Sequence, residues 1–252
     1  MKRTAFTVLI ALVFTMSGFA ADLVPLQPGV PAQPLQVVVK AETPHGLTID
    51  ITASGIMVEN MSADATGHAL LSWPNAGVEG RIGEAQIPVR RMLVAIPYGA
   101  TVIPSISSQS WSTHDLATLS GSPTLMPVQP PAEKVEGLVV PFTKNADYYQ
   151  TNSYSDLPTV EVEDYIVVRG QQMALVTVRP VNYNPAAGLI RIADQLEVEF
   201  EFDGGDDALT AAKVARYHDA RTMNLLQEST INDIGREIDT LPASLGYYVI
   251  MP

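Results

Sequence analysis

The sequence predicts an all-β fold: an antiparallel β-sandwich over residues 35–205, followed by a helical connection over 206–246. Three observations carry that prediction. Short runs rich in Val, Ile, Leu and Thr recur between turn signals, without the helical stretches that alternate with strands in α/β proteins. Leu196, Val198, Phe200 and Phe202 alternate strictly with Glu197, Glu199 and Glu201. A period of two is that of a strand with one buried and one solvated face. Residues 207–229 then lack Pro and Gly and are rich in Ala, Leu and Arg, a helical composition.

The first twenty residues stand outside the fold. Lys2 and Arg3 are followed by a mostly apolar run, Ala5 to Phe14, and by Gly18-Phe19-Ala20. This is the pattern of a secretory signal peptide, cut after Ala20 or Ala21. A membrane anchor is the alternative, but the run is shorter than the ~20 residues a spanning helix needs. Residues 21–34, ADLVPLQPGVPAQP, read as an extended leader.

Strands are expected at 35–40, 47–52, 68–73 and 87–97, each bounded by Pro, Gly or Asn turn signals. Between 97 and 158 prolines are frequent (97, 104, 123, 127, 130, 131, 141 and 158). Each removes a ladder donor, so little regular pairing is expected there beyond one edge strand at 134–140. The loop 141–158 carries Tyr148, Tyr149 and Tyr154 together with Lys144. Strands return at 163–170 and 171–181. A hairpin over 178–202 then turns at Asn184-Pro185-Ala186-Ala187-Gly188, where Pro presets φ and Gly188 accepts φ > 0. A one-residue slip would put three glutamates in the core, so this register is strongly specified. Asp206 and Asp207 favour the first turn of the helix that follows. Residues 247–252, YYVIMP with its preceding glycine at 246, read as the start of a new strand.

Composition narrows the function. The chain has no cysteine, so neither a disulfide nor thiol chemistry is available to it. The formal charge is −12, and −14 once Lys2 and Arg3 are removed. An acidic exported chain is a poor ligand for nucleic acid or anionic membrane. No nucleophile elbow, zinc-protease helix or phosphate loop is present. The histidines, 45, 68, 114 and 218, show no metal-ligand spacing and read as surface residues. Neighbours such as His114-Asp115 and His218-Asp219 point in different directions and make no base–orienter pair. Asp203, Asp206 and Asp207 could contribute to a calcium site but lack the ligand ladder of a dedicated loop; the plainer reading is an acidic turn capping a helix. Glu197, Glu199 and Glu201 read as a solvated sheet face. The tyrosine-rich loop reads as a sugar platform or, more simply, as a packed-down lid.

A resemblance supplies what these residues do not. The run 165–202 contains Arg169-Gly170, a Val-x-Val strand, Pro-Val-x-Tyr-Asn-Pro at 180–185, a Gly-ended turn and a Leu-x-Val-x-Phe strand. It resembles the propeptide domain of gingipain-type, caspase-like cysteine peptidases, with a looser similarity extending over residues 35–205. The resemblance implies that the chain is not itself catalytic. It implies an exported bacterial precursor in which a β-sandwich covers the active-site cleft of the catalytic domain of the same chain, as inhibitor and folding aid, until cleaved. The family's catalytic Cys and His would lie beyond residue 252, and 247–252 would open the catalytic domain. A basic loop residue would occupy the specificity pocket: Lys144, with Lys134 and Arg169 as alternatives. Among Arg216, Arg221 and Arg236, the last, in the non-periodic DIGREID, is the expected processing site. No cofactor is implied. The competing reading is an independent secreted β-sandwich that binds carbohydrate or a cell surface.

Overall fold

The structure is a computed structural model that describes residues 22–64, 66–131, 141–217 and 220–232. The signal segment, the edge strand expected at 134–140, Lys134, His218, Arg236 and the strand expected at 247–252 lie outside the described residues. The strands are β1 (Asp22–Pro25), β2 (Gln36–Thr43), β3 (Gly46–Thr52), β4 (Gly55–Met61), β5 (His68–Ser72), β6 (Gly77–Glu79), β7 (Ile87–Ile96), β8 (Thr101–Asp115), β9 (Val160–Val168), β10 (Gln171–Val178), β11 (Val181–Asn184) and β12 (Leu189–Asp203). The helices are α1 (Leu116–Ser120), α2 (Ala146–Tyr149), α3 (Asp207–Tyr217) and α4 (Ala220–Ser229).

All strand pairs among these are antiparallel, as the sequence predicts. A five-stranded sheet runs β11-β12-β3-β2, with β8 also paired to β12. A four-stranded sheet runs β6-β7-β10-β9, and a three-stranded sheet β1-β4-β5. The main core lies between the first two. It joins Leu47, Ile49, Ile51, Leu196, Val198 and Phe200 to Met92, Val94, Ile96, Ala174, Val176 and Val178. Each such side chain contributes about 1.5–3 kcal/mol by leaving water. A second core, under the three-stranded sheet, joins Ile56, Leu71 and Trp73 to Tyr183, Ile190 and Ile192.

One strand serves both cores, and a bulge makes this possible. Ile190 and Ile192 of β12 face the second core, whereas Leu196, Val198, Phe200 and Phe202 face the main one. With strict alternation these even-numbered residues would all lie on one side. On the β8 ladder, however, Ala193 pairs with Trp111 and Gln195 with Ser110, leaving Asp194 as an extra residue. An inserted residue exchanges the faces. Asp194 is held in place: its carbonyl accepts from Ala53 N–H at 3.2 Å, and its carboxylate accepts from Ser112 Oγ at 2.9 Å and Gln27 Nε2 at 3.2 Å.

Three expectations need correction. Part of the leader is a strand, β1, paired with β4 from Asp22↔Val58 to Pro25↔Gly55, and Leu26 is buried. Pro25 sits at the strand's end, where a missing donor costs least. The proline-rich region contains β8, fifteen residues long, despite Pro104. β8 has β12 as its ladder partner on one side, so a residue without an N–H is tolerated toward the other. The helix expected over 207–229 is met by α3 and α4, on either side of 218–219, which lie outside the described residues. His68 is not a surface residue: it is fully buried, its Nδ1 2.8 Å from Thr124 Oγ1 and its Nε2 3.0 Å from Asp64 Oδ2.

Candidate functional site

The segment that carries Lys144 is fastened on both flanks. Residues 126–128 run beside 84–86, with Gln86 N–H donating to Met126 O, Val128 N–H to Glu84 O and Gly83 N–H to Val128 O, each at 2.8 Å. The chain leaves this ladder at Gln129 and returns at Thr143. The Gln129 side-chain amide joins the two points: Oε1 accepts from Thr143 N–H and Nε2 donates to Thr143 O, both at 2.9 Å. Two residues on, Asn145 N–H donates to Gly83 O at 2.8 Å, and Asn145 Oδ1 caps α2 by accepting from Tyr148 N–H. Lys144 sits between these fastenings, half-buried, with Nζ 4.7 Å from the centroid of the Tyr149 ring.

The tyrosines beneath it are structural. Tyr149 donates its hydroxyl hydrogen to Leu125 O at 2.7 Å and meets Tyr148 edge-on, centroids 5.2 Å apart. Burial pushes the Tyr148 phenol up to about 12 and raises that of Tyr149 as well, so both stay neutral donors. Phe142 lies against the buried His68 ring, centroids 5.4 Å apart. A cleft of about 580 Å3 opens beside the loop, lined by Tyr148, Leu157, Trp111 and Arg191 among others. The Arg191 guanidinium lies 4.2 Å from the Tyr154 centroid. With cations over Tyr149 and Tyr154, the loop is packed down rather than presenting open rings to a sugar.

Asn182 and Asn184, on either side of Tyr183, hold the rest of the loop. Tyr183 is buried, pushed up to about 12 by desolvation. Asn182 clamps Ser155 through both amide atoms, accepting from its N–H at 2.9 Å and donating to its C=O at 3.0 Å. Asn184 donates to Asn152 Oδ1 at 3.0 Å and accepts from Ala187 N–H inside the turn. Gly188 takes φ 63°, as the turn demands.

The other predicted residues are placed as follows. Arg169 is exposed at the tip of the β9–β10 hairpin, a two-residue turn with φ 51° at Arg169 and 84° at Gly170. It does not share a fastening with Lys144. Asp206 caps α3, its Oδ1 accepting from Leu209 N–H at 2.8 Å. Among the described residues no three acidic or histidine side chains stand together as a metal site. Asp115 caps α1 by accepting from Thr118 N–H at 2.7 Å, while His114 Nε2 meets Ser112 Oγ at 2.7 Å. Glu199 and Glu201 are exposed; Glu197 pairs with Lys40 and accepts from Ser107 Oγ.

Comparison with known proteins places this architecture. The Propeptide_C25 family model matches residues 38–233. The chain belongs to that family. Lys-gingipain of Porphyromonas gingivalis is 30% identical over 172 residues, which is 66% of this chain and 10% of the relative; Lys-gingipain W83 gives the same figures. The chain therefore spans about a tenth of the length of these relatives. Two solved structures share the fold. One, from work on the zymogenic latency of gingipain K of Porphyromonas gingivalis, has a TM-score of 0.63 at 24% identity, covering 70% of this chain and 97% of that one. The other, a complex of Porphyromonas gingivalis RgpB pro- and mature domains, has a TM-score of 0.62 at 11% identity, covering 78% and 97%. The resemblance read from residues 165–202 thus extends over most of the chain, and the part matched is a propeptide rather than a catalytic domain.

Proposed function

We propose that this chain is the propeptide of an exported gingipain-type cysteine peptidase, covering the active-site cleft of the catalytic domain of the same precursor until it is cut away. The family match over residues 38–233 carries this reading. The propeptide acts as inhibitor and folding aid, residues 1–20 direct export, and release follows hydrolysis in the connection, at Arg236. Lys144 enters the specificity pocket. A loop that imitates substrate without being turned over must be stiff, and Lys144 has a hydrogen-bonded neighbour on each side, Thr143 on Gln129 and Asn145 on Gly83. Its ammonium must leave the Tyr149 face to pair with an acidic pocket, a modest cost of about 0.5–1 kcal/mol.

The test is inhibition of the mature peptidase from the same gene by the separately produced chain. Lys144→Ala is expected to weaken inhibition by at least about tenfold, as for a truncated charged anchor, with Lys134→Ala and Arg169→Ala close to wild type. Unchanged inhibition by Lys144→Ala moves the contact to whichever of the other two fails. No inhibition by the wild-type chain removes the inhibitor role and favours the secreted binding module.

A further inference from the structure

Beyond α4 the chain turns onto the edge of β7. β6 covers that edge only at Ile87, Pro88 and Val89. Farther along, Thr230 forms a parallel bridge with Leu93, and Ile231 N–H donates to Leu93 O at 3.0 Å. Asn232 then does with its side chain what another strand would do with its backbone. Its Oδ1 accepts from Ala95 N–H at 2.8 Å and its Nδ2 donates to Ala95 O at 2.9 Å. Asn232 is 6% exposed, so these bonds are shielded from water. Thr230 Oγ1 donates to Leu226 O at 3.1 Å, tying the clamp to the last turn of α4.

The helices ahead of the clamp lie against the four-stranded sheet. Among their described side chains, Val214 and Leu226 are buried, against Met173, Leu93 and Ile166 on the outer face of the four-stranded sheet. At the start of α3, Asp206 N–H donates to Tyr98 O at 3.1 Å and Tyr98 N–H donates to Thr210 Oγ1 at 2.6 Å. The helical segment is thus fixed at both ends to β7 and the turn that follows it.

We propose that Asn232 is a positioning residue for processing: it holds α3 and α4 on the sheet and so confines cleavage to its own C-terminal side. Hydrolysis of a peptide bond in folded chain requires local opening, and its rate follows the population of the open form. Arg216 lies on α3 and Arg221 on α4, the segment that the clamp closes. Between 233 and 252, Arg236 is the one basic residue. The family match ends at residue 233, one past the clamp. The proposal deepens the reading of the chain as a propeptide, yet the clamp is testable without the peptidase.

The full chain is incubated with trypsin, and cleavage after Arg216, Arg221 and Arg236 is followed separately by mass spectrometry. In the wild type the bond after Arg236 is cut first and those after Arg216 and Arg221 are spared. Asn232→Ala removes both partners of Ala95, and Ile231→Pro independently removes the donor to Leu93. Each is expected to speed cleavage after Arg216 and Arg221 by at least about tenfold, with cleavage after Lys40 and Arg191 in the sandwich unchanged. Wild-type cleavage after Arg216 or Arg221 as fast as after Arg236 overturns the proposal. So does a wild-type rate at these two bonds in both variants. Faster cleavage throughout the sandwich also counts against it, since Asn232 would then stabilise the whole domain rather than gate one segment. Failure of inhibition in the earlier test leaves these results standing.

Discussion

Arg179 is the residue whose replacement the structure prices most directly. It follows β10, and its side chain is only 10% exposed. Nε and Nη2 engage Glu79 of β6 at 2.6 and 2.9 Å, Nη2 reaches Glu161 of β9 at 2.8 Å, and Nη1 donates to Pro158 O at 2.9 Å. One guanidinium therefore ties both outer strands of the four-stranded sheet to its middle. Removing one member of a fully buried ion pair costs about 3–5 kcal/mol because a charge is stranded. Here the acids are 28% and 44% exposed and regain water, which lowers the figure. An exposed pair would contribute only about 0.2–1 kcal/mol. Arg179→Met, which keeps the apolar stem, is therefore expected to destabilise by about 2–3 kcal/mol. At this chain length that lowers Tm by roughly 5–10 °C. Urea unfolding followed by tryptophan fluorescence measures it, with Lys40→Met as a surface control that falls well short of the same loss. A change below about 0.5 kcal/mol for Arg179→Met would show that the network is no more than a surface pair.

Two further outcomes are expected. A Cβ on Gly55 would stand 2.8 Å from Ala32 Cβ and 3.1 Å from Ala32 Cα, because residues 31–33 are bonded to Ser54 and Gly55; Gly55→Ala should cost about 1–3 kcal/mol in urea unfolding, whereas a loose leader would make it neutral. Hydrogen bonds from Thr66, and then the His68 ring 3.0 Å away, hold the Asp64 carboxyl well below its ordinary 3.8; its contribution is therefore lost as pH falls below about 4, so the stability difference between wild type and Asp64→Asn should shrink below about pH 4.

The parts of the fold that were legible in the sequence are those whose signal is local. Leu196 to Phe202 alternate because one face is wet, and Gly188 marks the turn because its φ requires it. The Asp194 bulge was not legible, since an extra residue exists only relative to a partner strand, here β8. β8 itself was hidden by its composition: Ser105, Ser107, Ser108, Ser110 and Ser112 carry no apolar period, and Pro104 reads as a breaker until an edge position excuses it. β1 was hidden likewise by the surrounding prolines. Strands were legible at 163–170 and 171–181, but not the tight turn that pairs them and lifts Arg169 to an exposed tip.

The candidate site was legible in outline only. Lys144 is the one basic residue of its loop, which is a property of sequence. Its rigidity comes from Gln129 and Gly83, far away along the chain, which is not. His68 passed for a surface residue because Thr124 and Phe142, which meet its ring besides the nearby Asp64, lie more than fifty positions on. Tyr183, Asn184 and Pro185 stood out as a family signature, in which position 182 was left open. That Asn182 clamps Ser155 and Asn184 holds Asn152 emerges only once the loop is folded over them.

The central claim is that this domain covers the active site of a cysteine peptidase. Because the chain contains no cysteine, a thiol reagent added to a mixture of the two reads the peptidase alone. The decisive measurement is the alkylation rate of the peptidase's catalytic thiol by iodoacetamide as the chain is titrated in. The account predicts a rate that falls toward zero and reaches its floor at one chain per peptidase. An unchanged rate at saturating chain would contradict it.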